Sequence, residues 1–223
     1  MQYLNESPVP GLPKMRVLVA CEFSGRVRDA FAARGHDAWS CDLLPSESPG
    51  QHYQGDVKDI INDGWDLMIA HPDCTYLTNS AAWAYKNGPY HQKVKAETPV
   101  GEERRALRAS ALNFVRMLMN APIRKIAIEN PVGVISTMIK PATQYINPYE
   151  YGHDASKKTG LWLTGLPPLM PTKYVSPRFV NGLPRWANQT DSGQNKLSPS
   201  NNRWKKRAVT YQGWADAMAD QWG

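Results

Sequence analysis

The sequence predicts an α/β protein with an open, mostly parallel sheet. Two observations carry this: short apolar runs of strand length alternate with segments of helical spacing, and several of those runs end in an acid or lead into a cysteine. Side chains at the carboxyl ends of neighbouring parallel strands share one crevice, so the second observation bears on function as well as fold. A third is a basic, proline-rich stretch late in the chain, which sets a small loop-rich segment beside the sheet.

Taken in order, Arg16-Val17-Leu18-Val19-Ala20 is a β-branched run and predicts a strand. Ser24-Gly25 makes a turn, and Val27, Ala30, Phe31 and Arg34 follow at helical spacing up to Gly35, a stop. Ala38 to Asp42 reads as a second strand ending in an acid, and Tyr53-Gln54-Gly55-Asp56-Val57 as another such end. Leu67 to Ala70 forms the next strand and leads into the Cys74 loop, which stays irregular through Asn79, Asn87, Gly88 and Pro89. From Glu102 to Met119, Leu107, Ala111, Phe114, Val115 and Leu118 mark one stripe of an amphipathic helix. Glu102 and Glu103 suit its positive end, and Pro122 closes the segment before the strand that reaches Glu129. Residues 157–164 predict a further strand, prolines from Pro167 to Pro199 interrupt regular structure, and Gly213 to Trp222 predicts a helix with Ala215, Met218 and Trp222 on one face.

At 223 residues the chain is long enough for one main domain with a full core. The expected organisation is a flexible tail over 1–14, an α/β domain over 15–170, a short basic segment over 171–206 and a helix over 207–223 that returns to the domain. No apolar run approaches the roughly 18 residues of a membrane span, so a cytoplasmic chain without membrane contact is expected. The three cysteines form no Cys-x-x-Cys pair and have no histidine at zinc-ligand spacing, so neither a disulfide framework nor a metal site is expected. Cys21 and Cys41, in or beside apolar runs, read as small buried hydrophobes.

The net charge of +6 is local: residues 171–207 hold 8 Lys+Arg against 1 Asp+Glu, whereas residues 1–170 hold 18 against 17. Such a cluster suits a phosphate backbone. A charge-rich loop is as often only a solvated surface, and charge alone does not choose between the two.

Cys74 lies just past one apolar run, and Glu129 ends another 55 residues later. A thiolate is the protein nucleophile that adds readily to an electron-poor ring carbon and leaves easily afterwards. Addition to carbon 6 of a cytosine makes carbon 5 nucleophilic, provided an acid meets ring nitrogen N3 as charge develops. Cys74 and Glu129 fit those two roles.

At these residues the chain resembles the DNA (cytosine-5) methyltransferases, over most of residues 15–223. His71-Pro72-Asp73-Cys74 resembles the family's Pro-Cys nucleophile loop, Glu129-Asn130-Pro131-Val132 its Glu-Asn-Val motif, and Tyr53-Gln54-Gly55-Asp56-Val57 its Gly-Asp-Ile/Val motif, all in the family's order. The resemblance implies a Rossmann-like S-adenosylmethionine-dependent methyltransferase fold, with DNA as partner and a monomeric enzyme. It implies catalytic Cys74 and Glu129, and a cofactor pocket drawing on Ala20, Phe23, Ser24, Gly25, Asp42, Asp56, Val57, Thr210 and Gly213. Asp42 is expected on the ribose hydroxyls and Asp56 near the adenine amine. Lys157 and Lys158 stand where the family has base-contacting arginines, and 171–206 where it recognises its target. Lys173, Arg178, Arg185, Lys196, Arg203, Lys205, Lys206 and Arg207 are the candidate DNA contacts, with Trp186 and Trp204 as stacking groups or packing residues.

The chain departs from the family at Glu22, where a small residue is usual, and at Asp73, where proline is. A carboxylate beside Cys74 opposes thiolate formation. Each residue also has a plainer reading: Cys74 as a buried hydrophobe, Glu129 as a paired structural acid, Asp42 and Asp56 as turn formers. Two other functions stay open, a non-catalytic nucleic-acid-binding relative and the same chemistry on RNA or a free pyrimidine nucleotide.

Overall fold

The computed structural model describes residues 13–91, 93–198, 200 and 203–223. Seven strands form one sheet: β1 (Arg16–Ala20), β2 (Asp37–Asp42), β3 (His52–Gln54), β4 (Leu67–Ala70), β5 (Lys125–Pro131), β6 (Gln144–Ile146) and β7 (Thr159–Thr164). Their order is β3-β2-β1-β4-β5-β7-β6. The first five run parallel, and β7 runs antiparallel between β5 and β6. This is the α/β architecture with a mostly parallel sheet that the strand and helix alternation predicts.

β1 and β4 are central, with helices on both faces, so they read as continuous apolar runs rather than alternating ones. Val17, Val19, Leu67 and Ile69 face α1 (Arg26–Ala32) and α5 (Gln212–Trp222), packing with Phe31, Trp214, Met218 and Trp222. Leu18, Ala20, Met68 and Ala70 face α2 (Gly101–Met119), packing with Leu112, Val115 and Leu118. α5 therefore shares one core with β1 and α1, and Arg34, just after α1, pairs with Asp220 of α5.

α2 buries Leu112, Val115 and Leu118 in the core, while Leu107, Ala111 and Phe114 of the expected stripe are half-buried along a cavity wall. One apolar stripe thus serves two purposes. The run ending at Val57 gives only a short β3, after which Asp56 caps a single turn by accepting from the Lys58 amide.

Within the basic segment, Asn181-Gly182 turns a hairpin between β8 (Arg178–Val180) and β9 (Leu183–Arg185). Both turn residues have positive φ, 50° and 74°, which Asn-Gly adopts readily. The prolines of this stretch predict loop, whereas the Asn-Gly pair closes a short hairpin within it. The short α3 (Ile135–Met138) and α4 (Arg203–Ala208) complete the fold. Most of the expected 1–14 tail lies outside the described residues. Among the described residues no helix is long and apolar enough to cross a membrane.

Candidate active site

β4 and β5 pair in parallel with Ala70 opposite Ile128, so the next residues, His71 and Glu129, stand side by side at the carboxyl edge of the sheet. His71 Nδ1 lies 2.9 Å from Glu129 Oε2, and both side chains are less than one-tenth exposed. One residue further, Asn130 donates through Nδ2 to the Pro72 carbonyl at 2.7 Å. Register thus ties the Cys74 loop to the strand that carries the acid. His71 Nε2, Glu129 Oε1 and Asn130 Oδ1 are buried without a hydrogen-bond partner among the described residues. Three such atoms together at a strand edge are unusual for a structural site.

The Cys74 loop is held from several sides. Asp73 Oδ1 accepts from the Thr75 amide and hydroxyl at 3.0 and 2.8 Å, and the Cys74 carbonyl accepts from the Leu77 and Thr78 amides. From α2, Arg108 donates to the Tyr76 and Thr78 carbonyls while its guanidinium lies 3.4 Å from the centre of the Tyr85 ring. Behind the loop, a Cβ at Gly133 would come within 2.0 Å of the Leu77 carbonyl, so only glycine permits this approach.

Cys74, Glu129, His71 and Lys157 all line one cavity of about 610 Å³, with Phe23, Ser24, Trp204, Arg207 and Thr210 also on its walls. A second cavity of about 680 Å³ adjoins it, walled by Leu43, Asp56, Val57 and the Leu107, Ala111 and Phe114 stripe of α2. Cys21, Asp42, Pro72 and Asp73 border both. Leu43 is 74% exposed, an apolar side chain left open at the rim.

Burial pushes the Cys74 thiol above its ordinary range, Asp73 adds to this, and Lys157 and Arg207 oppose it. At Glu129 burial also acts upward, but the hydrogen bond with His71 and the charge of Lys157 outweigh it and hold the carboxyl below its usual range. Burial raises Asp42, against the hydrogen bond it accepts from the Leu44 amide.

The loop after β1 departs from its sequence expectation in an instructive way. Cys21 has a left-handed backbone with φ 59°, and Glu22, only 4% exposed, turns its carboxylate onto α1. Its oxygens accept from the Val27 amide at 2.8 Å and the Arg28 amide at 3.2 Å. Glu22 is thus a cap for amides that a helix start leaves unpaired. Nothing in the residue pattern alone announced this role.

Of the residues expected at the cofactor, Phe23, Ser24, Asp42, Asp56, Val57 and Thr210 lie on cavity walls. Ala20 is fully buried in the sheet core, and Gly25, φ 73°, opens α1 against the Arg28 side chain. Gly213 donates to His153 Nε2 at 2.8 Å and sits so near the Tyr151 carbonyl that a Cβ would meet it at 1.9 Å. These three shape the fold around the cavities rather than line them.

The basic residues also divide. Lys157 and Arg207 reach the Cys74 cavity, and Lys157 Nζ donates to the Arg207 carbonyl at 3.1 Å. Lys158 instead lies over the Tyr145 ring, and Lys173 packs on Gly152. Arg178 and Arg185 staple the hairpin to the turn at Asp191, and Lys205 pairs with Glu47. Arg203 has a buried Nε, whereas Lys196 and Lys206 are exposed. Trp186 is packing, stacked on Tyr149 at 4.1 Å, while Trp204, 54% exposed, leans on Phe23 at the cavity mouth. His71 is a site residue that the sequence does not single out, because its place beside Glu129 follows from the parallel register one step past Ala70, which only the structure shows. Among the described residues no group of three or more His, Cys, Asp or Glu side chains is placed to hold a metal ion.

The chain matches no known family model, and no curated protein matches it.

Proposed function

We propose that the chain belongs, as a class, to the Rossmann-like S-adenosylmethionine-dependent transferases that act on nucleobases. More specifically, we infer a monomeric DNA (cytosine-5) methyltransferase. The observation that carries this reading is the convergence of Cys74, Glu129 and Lys157 on one cavity that shares a wall with a second at Asp42.

The residues present fit the cofactor. Asp42 offers acceptors for sugar hydroxyls, Leu43 an apolar surface for a flat ring, and Asp56, half-exposed on the wall of the second cavity, a further acceptor shared with Lys58. When bound, S-adenosylmethionine supplies an electrophilic methyl group. Cys74 forms a bond from its sulfur to carbon 6 of the base, and the displaced electron pair makes carbon 5 nucleophilic. Glu129, once protonated on Oε1, donates that proton to N3 as negative charge develops there and takes it back when the carbon–sulfur bond breaks. Lys157 favours the Cys74 thiolate and, on the wall of the same cavity, is a cation to meet negative charge developing on the base. After methyl transfer the proton on carbon 5 leaves to solvent, and the carbon–sulfur bond breaks to restore the thiolate. A cytosine within duplex DNA has to be flipped out of the stack, at a cost of a few kcal/mol. Trp204 and Arg207 at the cavity mouth suit such an extruded nucleotide.

One observation favours a second reading, a nucleic-acid-binding relative without catalysis: burial and Asp73 both disfavour the Cys74 thiolate. The deciding experiment is transfer of labelled methyl to DNA by wild type and Cys74→Ala, with base analysis of the product. Cysteine-dependent 5-methylcytosine is expected. DNA binding without transfer by either protein selects the second reading, and transfer only to RNA or a free pyrimidine nucleotide reassigns the acceptor.

A further inference from the structure

His71 has no role in the chemistry described above, yet it touches the acid that does. Its Nδ1 is 2.9 Å from Glu129 Oε2, both side chains are buried, and the other polar atom of each, Nε2 and Oε1, lacks a partner among the described residues. A histidine serving structure alone would have both nitrogens satisfied.

We propose that His71 is a positioning residue for Glu129: by donating from Nδ1 to Oε2 it leaves Oε1 as the oxygen that carries a proton and presents it to N3 of the base. This rests on the cytosine chemistry proposed above. A carboxyl group can carry its proton on either oxygen, and only a proton on the cavity side is useful to N3. An Oε2 that already accepts from His71 does not need a proton of its own, so a proton arriving at Glu129 goes to Oε1. The reverse arrangement, Oε2–H donating to His71, would aim a bare lone pair of Oε1 at the lone pair of N3.

An ionised Glu129 can only accept, so His71 Nδ1 is the donor of this pair, and that hydrogen bond with the Lys157 charge lowers Glu129 against burial. The charged and titratable groups around the pair are Lys157 before β7, Asp73 and Cys74 in the loop after β4, and Arg207 in α4. Among the described residues none of these is hydrogen-bonded to Glu129, whereas His71 is.

An acid works only while protonated, so the alkaline limb of the rate profile follows Glu129. Removing a donor that favours the carboxylate leaves burial to raise Glu129 and moves that limb to higher pH. The test compares wild type, His71→Leu and His71→Asn in methyl transfer to DNA across pH. It also measures exchange of the cytosine carbon-5 hydrogen with solvent, without cofactor. His71→Leu is expected to lose about 10- to 100-fold in kcat with KM for DNA little changed, and its alkaline limb to move up. His71→Asn keeps a donor near the Nδ1 position and is expected to restore the limb and most of the rate.

A wild type inactive on cytosine at every pH overturns the proposed function itself. An active wild type whose limb is unmoved in His71→Leu overturns only the role of His71. If His71→Leu fails to fold, the ring nitrogen resonances of His71 in wild type and Glu129→Gln decide. A changed Nδ1 signal supports the donor bond, and an unchanged one overturns it.

Discussion

Replacing Glu22 with alanine tests whether this carboxylate is a helix cap or a group free to meet a ligand. Glu22 accepts two backbone amides, from Val27 at 2.8 Å and Arg28 at 3.2 Å, and is 4% exposed, so water cannot take its place. Hydrogen bonds to charged groups contribute about 1.5–3 kcal/mol each. The longer bond belongs at or below the bottom of that range, and the two together give about 3 kcal/mol. Fraying cannot relieve the loss, because Val27 and Phe31 of α1 are fully buried in the core shared with α5. For a chain of this size that corresponds to a fall in Tm of roughly 6–12 °C. Urea unfolding followed by circular dichroism should show a lower midpoint with an unchanged slope. Glu22→Gln should fall between, since one amide oxygen still accepts from Val27 while its NH2 opposes the Arg28 amide. A loss under about 1 kcal/mol for Glu22→Ala would refute the capping argument and leave the carboxylate available to the cavity.

Three further outcomes are expected. Gly133→Ala drives a methyl group to within 2.0 Å of the Leu77 carbonyl and strains the hydrogen bond there from the Val134 amide, so a loss of about 1–3 kcal/mol should appear in thermal unfolding. Burial lowers the pKa of His36 and His153, each of which accepts a backbone hydrogen bond, from Met15 and Gly213 respectively. The unfolded chain binds the extra protons first, so stability should fall as pH drops below the ordinary histidine value of about 6.5. His153→Gln, which keeps an acceptor, should flatten that slope, and an unchanged slope would count against the assignment. Asp73→Asn keeps the oxygen that Thr75 uses but deletes the charge, so the pH midpoint for alkylation of Cys74 should fall, measured against a Cys74→Ala background. Cys41, raised by burial to about 12, should not compete near neutral pH. A midpoint that stays or rises would show that Asp73 does not act on the thiol.

The central strands were legible because β1 and β4 are apolar on both faces, and α2 because its stripe repeats at helical spacing. Cys74 and Glu129 could be singled out as residues placed just after strand-like runs. Their sharing of one cavity could only be anticipated, since it depends on β4 and β5 being neighbours. The antiparallel insertion of β7 between β5 and β6 was not legible, because a three-residue β6 has no pattern of its own until β7 pairs with it. The fates of the arginines were equally hidden. Arg178 and Arg185 read as free charges in sequence, and a turn residue from elsewhere in the segment, Asp191, binds them.

By itself the sequence determined the α/β class, the extent of the main elements and the two residues whose chemistry defines the proposed site. These follow from local periodicity and from side-chain chemistry, which any stretch of chain carries with it. Only tertiary structure decided that His71 contacts Glu129, that Glu22 caps α1, and that Lys157 and Arg207 reach the cavity while Lys158 and Lys173 do not. Each of these depends on strand order, register or the direction of a long side chain, and those are set by packing among elements far apart in sequence.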